Sequence, residues 1–282
     1  MFVAGLDIGS AFSRAVILDR GSIVAESSKP TGGDFSKAGE AVLSDAIQAA
    51  GLDQNEVRLI GACGLGASFI TKSFSKIADL SCLSRGIHFL LPDVRSIIEV
   101  GNQYSRVVNI NDLGKVTDSL ASEKCAAGSG RILQIIANVL GVRVDELGPL
   151  SAQATRPAKF TSNCAVFLET EAISRVAEGI PVPDIVAGLH HTLSAKILGM
   201  AKRLKISDNC AMTGGGAMDS GLTRIIENAL GLRLHVPEQF MLTSAIGAAM
   251  VATERVIDTV AAESCQASKM EKNIKNVRRV KI

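Results

Sequence analysis

The sequence contains no tryptophan, a single tyrosine (Tyr104) and only 4% aromatic residues. A chain so poor in rings lacks the stacking platforms of single-strand nucleic-acid binders, and any core it builds must be aliphatic. It also lacks a dominant charge. The 30 Lys+Arg against 28 Asp+Glu leave a formal net charge of +2, which argues against a binder of phosphate backbones. No apolar run reaches the ~18–20 residues of a membrane-spanning helix. The opening MFVAGLDIGS carries Asp7 where a secretory leader keeps an uncharged apolar stretch, so the expected location is cytoplasmic. There the six cysteines read as thiols or metal ligands rather than disulfides. Neither G-x-G-x-x-G in a Rossmann setting nor G-x-x-x-x-G-K-[ST] occurs, which withdraws support from those two nucleotide folds.

What is present is an aliphatic chain: 47% of the 282 residues are hydrophobic and 21% charged, enough for a sizeable core and for two domains. Phe2 to Leu6 predict a strand, Asp7-Ile8-Gly9-Ser10 a turn and Ala15 to Leu18 a second strand, together a hairpin. A helix is predicted over 36–50 and a strand over 57–64. The hairpin pattern then returns, with strand 96–100, turn Gly101-Asn102-Gln103 and strand 105–110, a recurrence that suits an internal duplication. Farther on, Ile132, Leu133, Ile135, Ile136, Val139 and Leu140 form a wide helical stripe stopped by Gly141. A helix over 165–178, a long one from an Asp184 N-cap to Leu204, a strand over 209–213 and a helix over 220–230 complete the pattern. The expected division is an N-terminal lobe 1–115, a C-terminal lobe 116–262 and a basic, solvated tail 263–282.

Three turns carry phosphate-compatible chemistry. In the first, Gly9 lets backbone N–H groups approach phosphate oxygens, Ser10 adds a hydroxyl, and Asp7 can hold Mg²⁺ directly or through water. Alone, that tetrapeptide equally fits a plain β-turn. Thr213-Gly214-Gly215-Gly216 at a strand-to-helix junction is a further candidate. The ordered set of Asp7–Ser10, Gly101–Gln103 and Gly214–Gly216 is far more specific and makes nucleotide binding the leading reading.

Two cysteines stand out. Cys125, in Lys124-Cys125-Ala126-Ala127-Gly128-Ser129-Gly130-Arg131, and Cys164, in Ser162-Asn163-Cys164-Ala165-Val166-Phe167, each precede a predicted helix, where the helix dipole favours thiolate. Thiolates ligate iron–sulfur clusters, and a cubane cluster takes four, so two per chain would require two chains. Cys63, Cys82, Cys210 and Cys265 read as ordinary thiols. His190 and His191 point about 100° apart on a helix and cannot easily share an ion; a surface or interface role is expected.

These motifs, with Met212-Thr213-Gly214-Gly215 and Ala245-Ile246-Gly247-Ala248-Ala249, resemble a family over about Phe2 to Ala252. It comprises the ATP-dependent activators of radical 2-hydroxyacyl-CoA dehydratases and the ATP-binding subunits of benzoyl-CoA reductases. The resemblance implies an α/β fold of the actin, Hsc70 and sugar-kinase type, two lobes closing on ATP/ADP with Mg²⁺. It further implies a [4Fe-4S] cluster shared between two chains through Cys125 and Cys164. Asp7, Gly9, Ser10, Arg14, Gly101, Gln103, Gly128, Ser129 and Gly214 to Gly216 are the implied nucleotide contacts, Asp7 and Gln103 the catalytic ones. Where the family's second turn usually reads Asp-Ile-Gly-Gly-Gln-Asp, this chain has Glu99-Val100-Gly101-Asn102-Gln103-Tyr104, and Arg14 replaces a frequent Lys.

Those departures suit one half of a heterodimer and favour a smaller benzoyl-CoA reductase subunit. Reduced ferredoxin would be its donor, a homologous ATP-binding subunit would share the cluster, and larger CoA-binding subunits would reduce benzoyl-CoA to a cyclic dienoyl-CoA. The homodimeric dehydratase activator is the alternative. A small-molecule kinase would leave Cys125 and Cys164 unexplained, and a non-hydrolysing assembly partner would fit Tyr104.

Overall fold

A computed structural model describes residues 1–70, 75–122, 125–162 and 164–255. Lys124, Asn163, Cys265 and the tail expected at 263–282 lie outside the described residues. The chain opens with β1 (Phe2–Ile8), β2 (Phe12–Asp19) and β3 (Ser22–Pro30), an antiparallel meander. Helix α1 (Phe35–Ala49) starts where the Asp34 side chain accepts from the backbone N–H of Lys37 at 3.0 Å, a side-chain cap on the first free donors. β4 (Val57–Cys63) returns parallel to β1, and β5 (Ser75–Lys76) extends that edge, giving the order β3-β2-β1-β4-β5.

Helix α2 (Asp79–Leu90) leads to the second sheet. There β6 (Ser96–Val100), β7 (Ser105–Ile110) and β8 (Val116–Ala121) form another antiparallel meander. Four helices follow: α3 (Arg131–Leu140), α4 (Val144–Ser151), α5 (Ala165–Ala177) and α6 (Val182–Leu204). Then come β9 (Cys210–Thr213), α7 (Ser220–Leu230) and β10 (Leu234–His235), and the backbone is helical over 243–255. The sheet order is β8-β7-β6-β9-β10, with β9 parallel to β6 and β10 parallel to β9. Position for position this repeats the first sheet, so the duplication expected from the two hairpins is realised over all five strands. The boundary expected between 115 and 116 falls inside the second sheet, between β7 and β8.

Pleating sorts β1 onto two faces. Ala4, Leu6 and Ile8 face α1, where Val42, Leu43, Ala46 and Ile47 are buried, each large side chain contributing about 2 kcal/mol. Val3 faces the other way, toward Ala245, Ala248 and Ala249 of helix 243–255. That helix lies close on the sheet because two strand residues are glycine: a Cβ on Gly5 would lie 1.9 Å from the Ala245 carbonyl oxygen, and one on Gly61 2.2 Å from that of Ala248. The second core gathers α3 to α7 on β6, β7 and β9, led by Ile132, Leu133, Ile136, Leu189 and Ile197. α3 ends on Gly141 at φ 66°, the left-handed stop expected there.

Asp184 does not cap α6, whose N-cap is Pro181. It sits buried in the first turn and accepts from the backbone N–H of Thr155 and Arg156 at 2.8 and 2.9 Å. The carboxylate fastens the preceding loop, a partner some 28 residues away that local pattern cannot reveal.

Candidate functional site

A cleft of about 940 Å³ opens between the two sheets. Asp7, Gly9, Ser10 and Arg14 line it from the first hairpin, Gly101 and Gln103 from the second, and Gly214, Gly215 and Gly216 from the turn after β9. The two hairpins meet it through the same construction. Gly9 donates to the Phe12 carbonyl at 3.1 Å, and Gly101 to that of Tyr104 at 3.1 Å. The Arg14 guanidinium lies over the Phe12 ring at 5.3 Å, that of Arg106 over Tyr104 at 5.0 Å. Asp7, a β1 residue paired with Arg14 across the hairpin, has its counterpart in Glu99, paired with Arg106.

The charges differ between the halves. Arg106 is ion-paired and hydrogen-bonded through Nε to Glu99. Burial works against its cation, but Glu99 more than offsets this and holds the guanidinium above its ordinary value. Arg14 Nε is buried without a hydrogen-bond partner. Burial pulls Arg14 below its ordinary value, with Asp7 and Glu99 opposing. Burial raises Asp7 from 3.8 to about 6, with Arg14 pulling it back. Burial also raises the Tyr104 phenol. The cleft thus offers a carboxyl with a pKa raised to about 6 beside the Arg14 guanidinium, whose Nε has no hydrogen-bond partner among the described residues, surrounded by glycine turns. That set can receive a polyphosphate and a hard divalent cation.

Gly128 and Ser129, expected to touch the ligand, do not line the cleft. Ser129 is fully buried, and its hydroxyl donates to the carbonyls of Asn102 at 2.9 Å and Ala126 at 3.1 Å. The neighbours Gly130 and Arg131 reach the cleft instead, and Gly130 donates to the Gly101 carbonyl at 2.8 Å. The segment braces the second turn from behind. Asn102, Arg106 and Asp79 also line the cleft. The sequence motifs mark none of the three as a ligand contact, and Asp79, which accepts from the Gly64 N–H at 2.8 Å, has no local signature. For Asn102 and Arg106 the available signal is the hairpin repeat itself.

The two cysteines marked by their motifs lie outside the cleft. Cys125 is half-buried against the second core. It opens a short 3₁₀ turn, Ala126–Gly128, and α3 begins only at Arg131, so the expected place at that helix's N-terminus is not where it lies. Glycines and Ser129 intervene as a separate turn. Cys164 is exposed and is the N-cap of α5, as expected. Beside it Val166 and Phe167 are 67% and 62% exposed. Among the described residues no group of three or more His, Cys, Asp or Glu could hold a metal. A half-buried and an exposed thiol are soft donors of the type iron–sulfur clusters take, and two of them cannot complete a four-thiolate set.

Cys63, Cys82 and Cys210 are buried. Cys63 nevertheless lines the cleft; its hydrogen bond with Cys82, then burial, push its thiol well up, and burial pushes Cys210 up to about 12. His190 is fully buried rather than at a surface, with Nε2 2.7 Å from Asp219 Oδ2. Asp219 Oδ1 accepts from the N–H groups of Gly221 and Leu222 at 2.9 and 3.1 Å. The pair locks α6 onto the start of α7. His191 is exposed.

The sequence profile of the BadF/BadG/BcrA/BcrD ATPase family matches residues 4–252. The chain is 32% identical over 277 residues to a 2-hydroxyisocaproyl-CoA dehydratase activator of Clostridioides difficile, covering 98% of this chain and 100% of that one. The solved structure of an activator of the 2-hydroxyisocaproyl-CoA dehydratase from Clostridium difficile with bound ADPNP superposes with a TM-score of 0.87 at 33% identity, over 93% of this chain and 98% of that one. A benzoyl-CoA reductase subunit of Thauera aromatica is 31% identical over 235 residues, 80% of this chain and 82% of the relative. The two-lobed actin-like ATPase fold implied by the family resemblance is the fold found. Of these two relatives, the dehydratase activator shares more of its length with this chain.

Proposed function

The chain belongs to the BadF/BadG/BcrA/BcrD ATPase family, and on that footing we propose that it is an ATP-dependent activator of a 2-hydroxyacyl-CoA dehydratase. One observation carries the choice of client: the collinear match to a dehydratase activator over 98% of this chain and 100% of the relative. The benzoyl-CoA reductase reading, favoured by the sequence motifs, rests on a match to 82% of that relative.

In this reading the N–H groups of Gly215 and Gly216 and the Ser10 hydroxyl receive the phosphates. Gly9, Gly101 and Gly214, whose own N–H groups bond Phe12, Tyr104 and Phe240, let the turns pass close to the ligand, and the Arg14 guanidinium supplies positive charge at the cleft wall. Asp7, ionised above its pKa of about 6, holds Mg²⁺ directly or through water. Gln103 orients the attacking water. Cys125 and Cys164, with the same pair from a second copy, hold a [4Fe-4S] cluster, which supplies one-electron transfer from a reduced ferredoxin-like donor to the dehydratase. A short bonded path links the two regions. The Asn102 carbonyl accepts from Ser129 Oγ at 2.9 Å, Ser129 Oγ also donates to Ala126 at 3.1 Å, and Gly128 N–H donates to the Cys125 carbonyl at 2.9 Å. A nucleotide that binds two arrangements of the second turn unequally therefore shifts the segment carrying Cys125.

A second reading, the ATP-binding subunit of a benzoyl-CoA reductase, is favoured by Tyr104. It stands where the resembled family's turn usually carries a carboxylate, and its ring is taken up by Arg106, as would suit a chain whose partner performs hydrolysis. Anaerobic purification separates the claims. The expected result is a self-associated chain with about four iron atoms per two chains, and loss of iron and visible absorbance in Cys125→Ser or Cys164→Ser with folding retained. Full iron content in either variant contradicts the ligand assignment. A chain that holds iron only with a different ATP-binding protein favours the second reading.

A further inference from the structure

The two phosphate-compatible turns are tied to one another. Asn102 Nδ2 donates to Ser10 Oγ at 3.0 Å, a side-chain bond between turns of the two different sheets and residues 92 apart in sequence. Asp7 and Glu99, Gly9 and Gly101, and Arg14 and Arg106 are separated by the same interval, so Ser10 and Asn102 are counterparts in the duplicated hairpin. Both line the cleft. The Asn102 backbone is anchored from behind, by Ser129 Oγ on its carbonyl at 2.9 Å and by Gly130 N–H on the Gly101 carbonyl at 2.8 Å, so its side chain springs from a braced position.

Donor counting gives the pair a purpose. A carboxamide nitrogen carries two N–H donors, and a hydroxyl that accepts one bond still has its own proton to donate. With Asn102 donating to Ser10, one Asn102 N–H and the Ser10 O–H remain, one from the turn of each sheet. An anionic oxygen placed between the turns can take both as charge-assisted bonds. A shorter polyphosphate anchored at the other glycine turns does not reach those two donors.

We propose that Asn102 is a specificity-determining residue for the nucleotide: with Ser10 it clasps the terminal phosphoryl group of a nucleoside triphosphate and thereby distinguishes triphosphate from diphosphate. The proposal deepens the ATPase reading above and rests on it. Where the resembled family usually has glycine at this position, the side-chain clasp is a property of this chain.

The test is calorimetric titration of the intact chain with Mg²⁺ and either a non-hydrolysable ATP analogue (ADPNP) or ADP. The parent chain is expected to prefer the triphosphate. Asn102→Gly and Asn102→Ala should lower the triphosphate-to-diphosphate affinity ratio about tenfold, the factor that 1.4 kcal/mol represents, while ADP affinity stays within about twofold. The alanine variant guards against an effect of glycine on the turn. Both variants keeping the parent's ratio would overturn the role of Asn102 and leave the ATPase reading intact. A parent chain that binds neither nucleotide would overturn the ATPase reading itself.

Discussion

At the scale of single residues, Asp7 couples the fold to its ligand through one proton. Burial lifts its pKa from 3.8 to about 6, so the native chain binds a proton that the unfolded chain releases. The stabilisation this brings is complete below pH 3.8 and is lost as pH rises through about 6. Above that, the buried carboxylate costs the fold a constant amount. Asp7→Asn should therefore raise the stability of the nucleotide-free chain at pH 8 by up to about 3 kcal/mol, and have little effect near pH 4. Mg-nucleotide affinity should fall at least tenfold, and in the parent chain it should weaken as pH drops below about 6. Melting temperatures across pH, with titrations at pH 5.5 and 8, check each sign. A carboxylate before a glycine turn is a local pattern, which is why Asp7, Gly9 and Ser10 could be read from the sequence. The partners of His190 and Asp184 lie 29 and 28–29 residues away, and no local pattern announces a pair formed by packing.

At the scale of elements, glycine seams set how closely the helices approach. Helix 243–255 crosses α2 with almost no gap: a Cβ on Gly247 would lie 1.7 Å from the Cys82 carbonyl oxygen, and one on Gly86 1.8 Å from that of Thr243. Since α2 joins the two sheets and helix 243–255 leads back to the first, this crossing fixes how the sheets face one another. Gly247→Ala should destabilise the chain by about 2 kcal/mol or more through overpacking. Gly199→Ala, inside α6 with open space at its Cβ, should stabilise it by up to about 1 kcal/mol from helix propensity. Denaturant unfolding of the two variants beside the parent reads both directions. The elements that sequence alone revealed are those with a strong apolar rhythm, such as β1, β6, α3 and α7. β3 and β8 lack it because they are outer strands, largely exposed, held by backbone bonds to β2 and β7 that impose little on side-chain polarity.

At the scale of the whole molecule, two five-stranded sheets of the same order enclose one cleft, and the two candidate cluster thiols lie outside it. The scarcity of aromatic rings has a structural counterpart: the two rings at the phosphate turns, Phe12 and Tyr104, lie on arginines. The duplicated hairpins were legible because they recur at a fixed interval. The bracing role of Ser129 and Gly130 was not, because a residue behind a turn and a residue facing its ligand occupy the same stretch of sequence. The proposed function has nucleotide bound in the cleft drive electrons through a cluster held by Cys125 and Cys164 to a dehydratase. Its most direct test is anaerobic stopped-flow spectroscopy of the reduced chain mixed with a 2-hydroxyacyl-CoA dehydratase. Oxidation of the chain and one-electron reduction of the dehydratase are expected with Mg-ATP, neither with Mg-ADP, and neither in Cys164→Ser. Electron transfer at the same rate with ADP, or none with ATP, would contradict it.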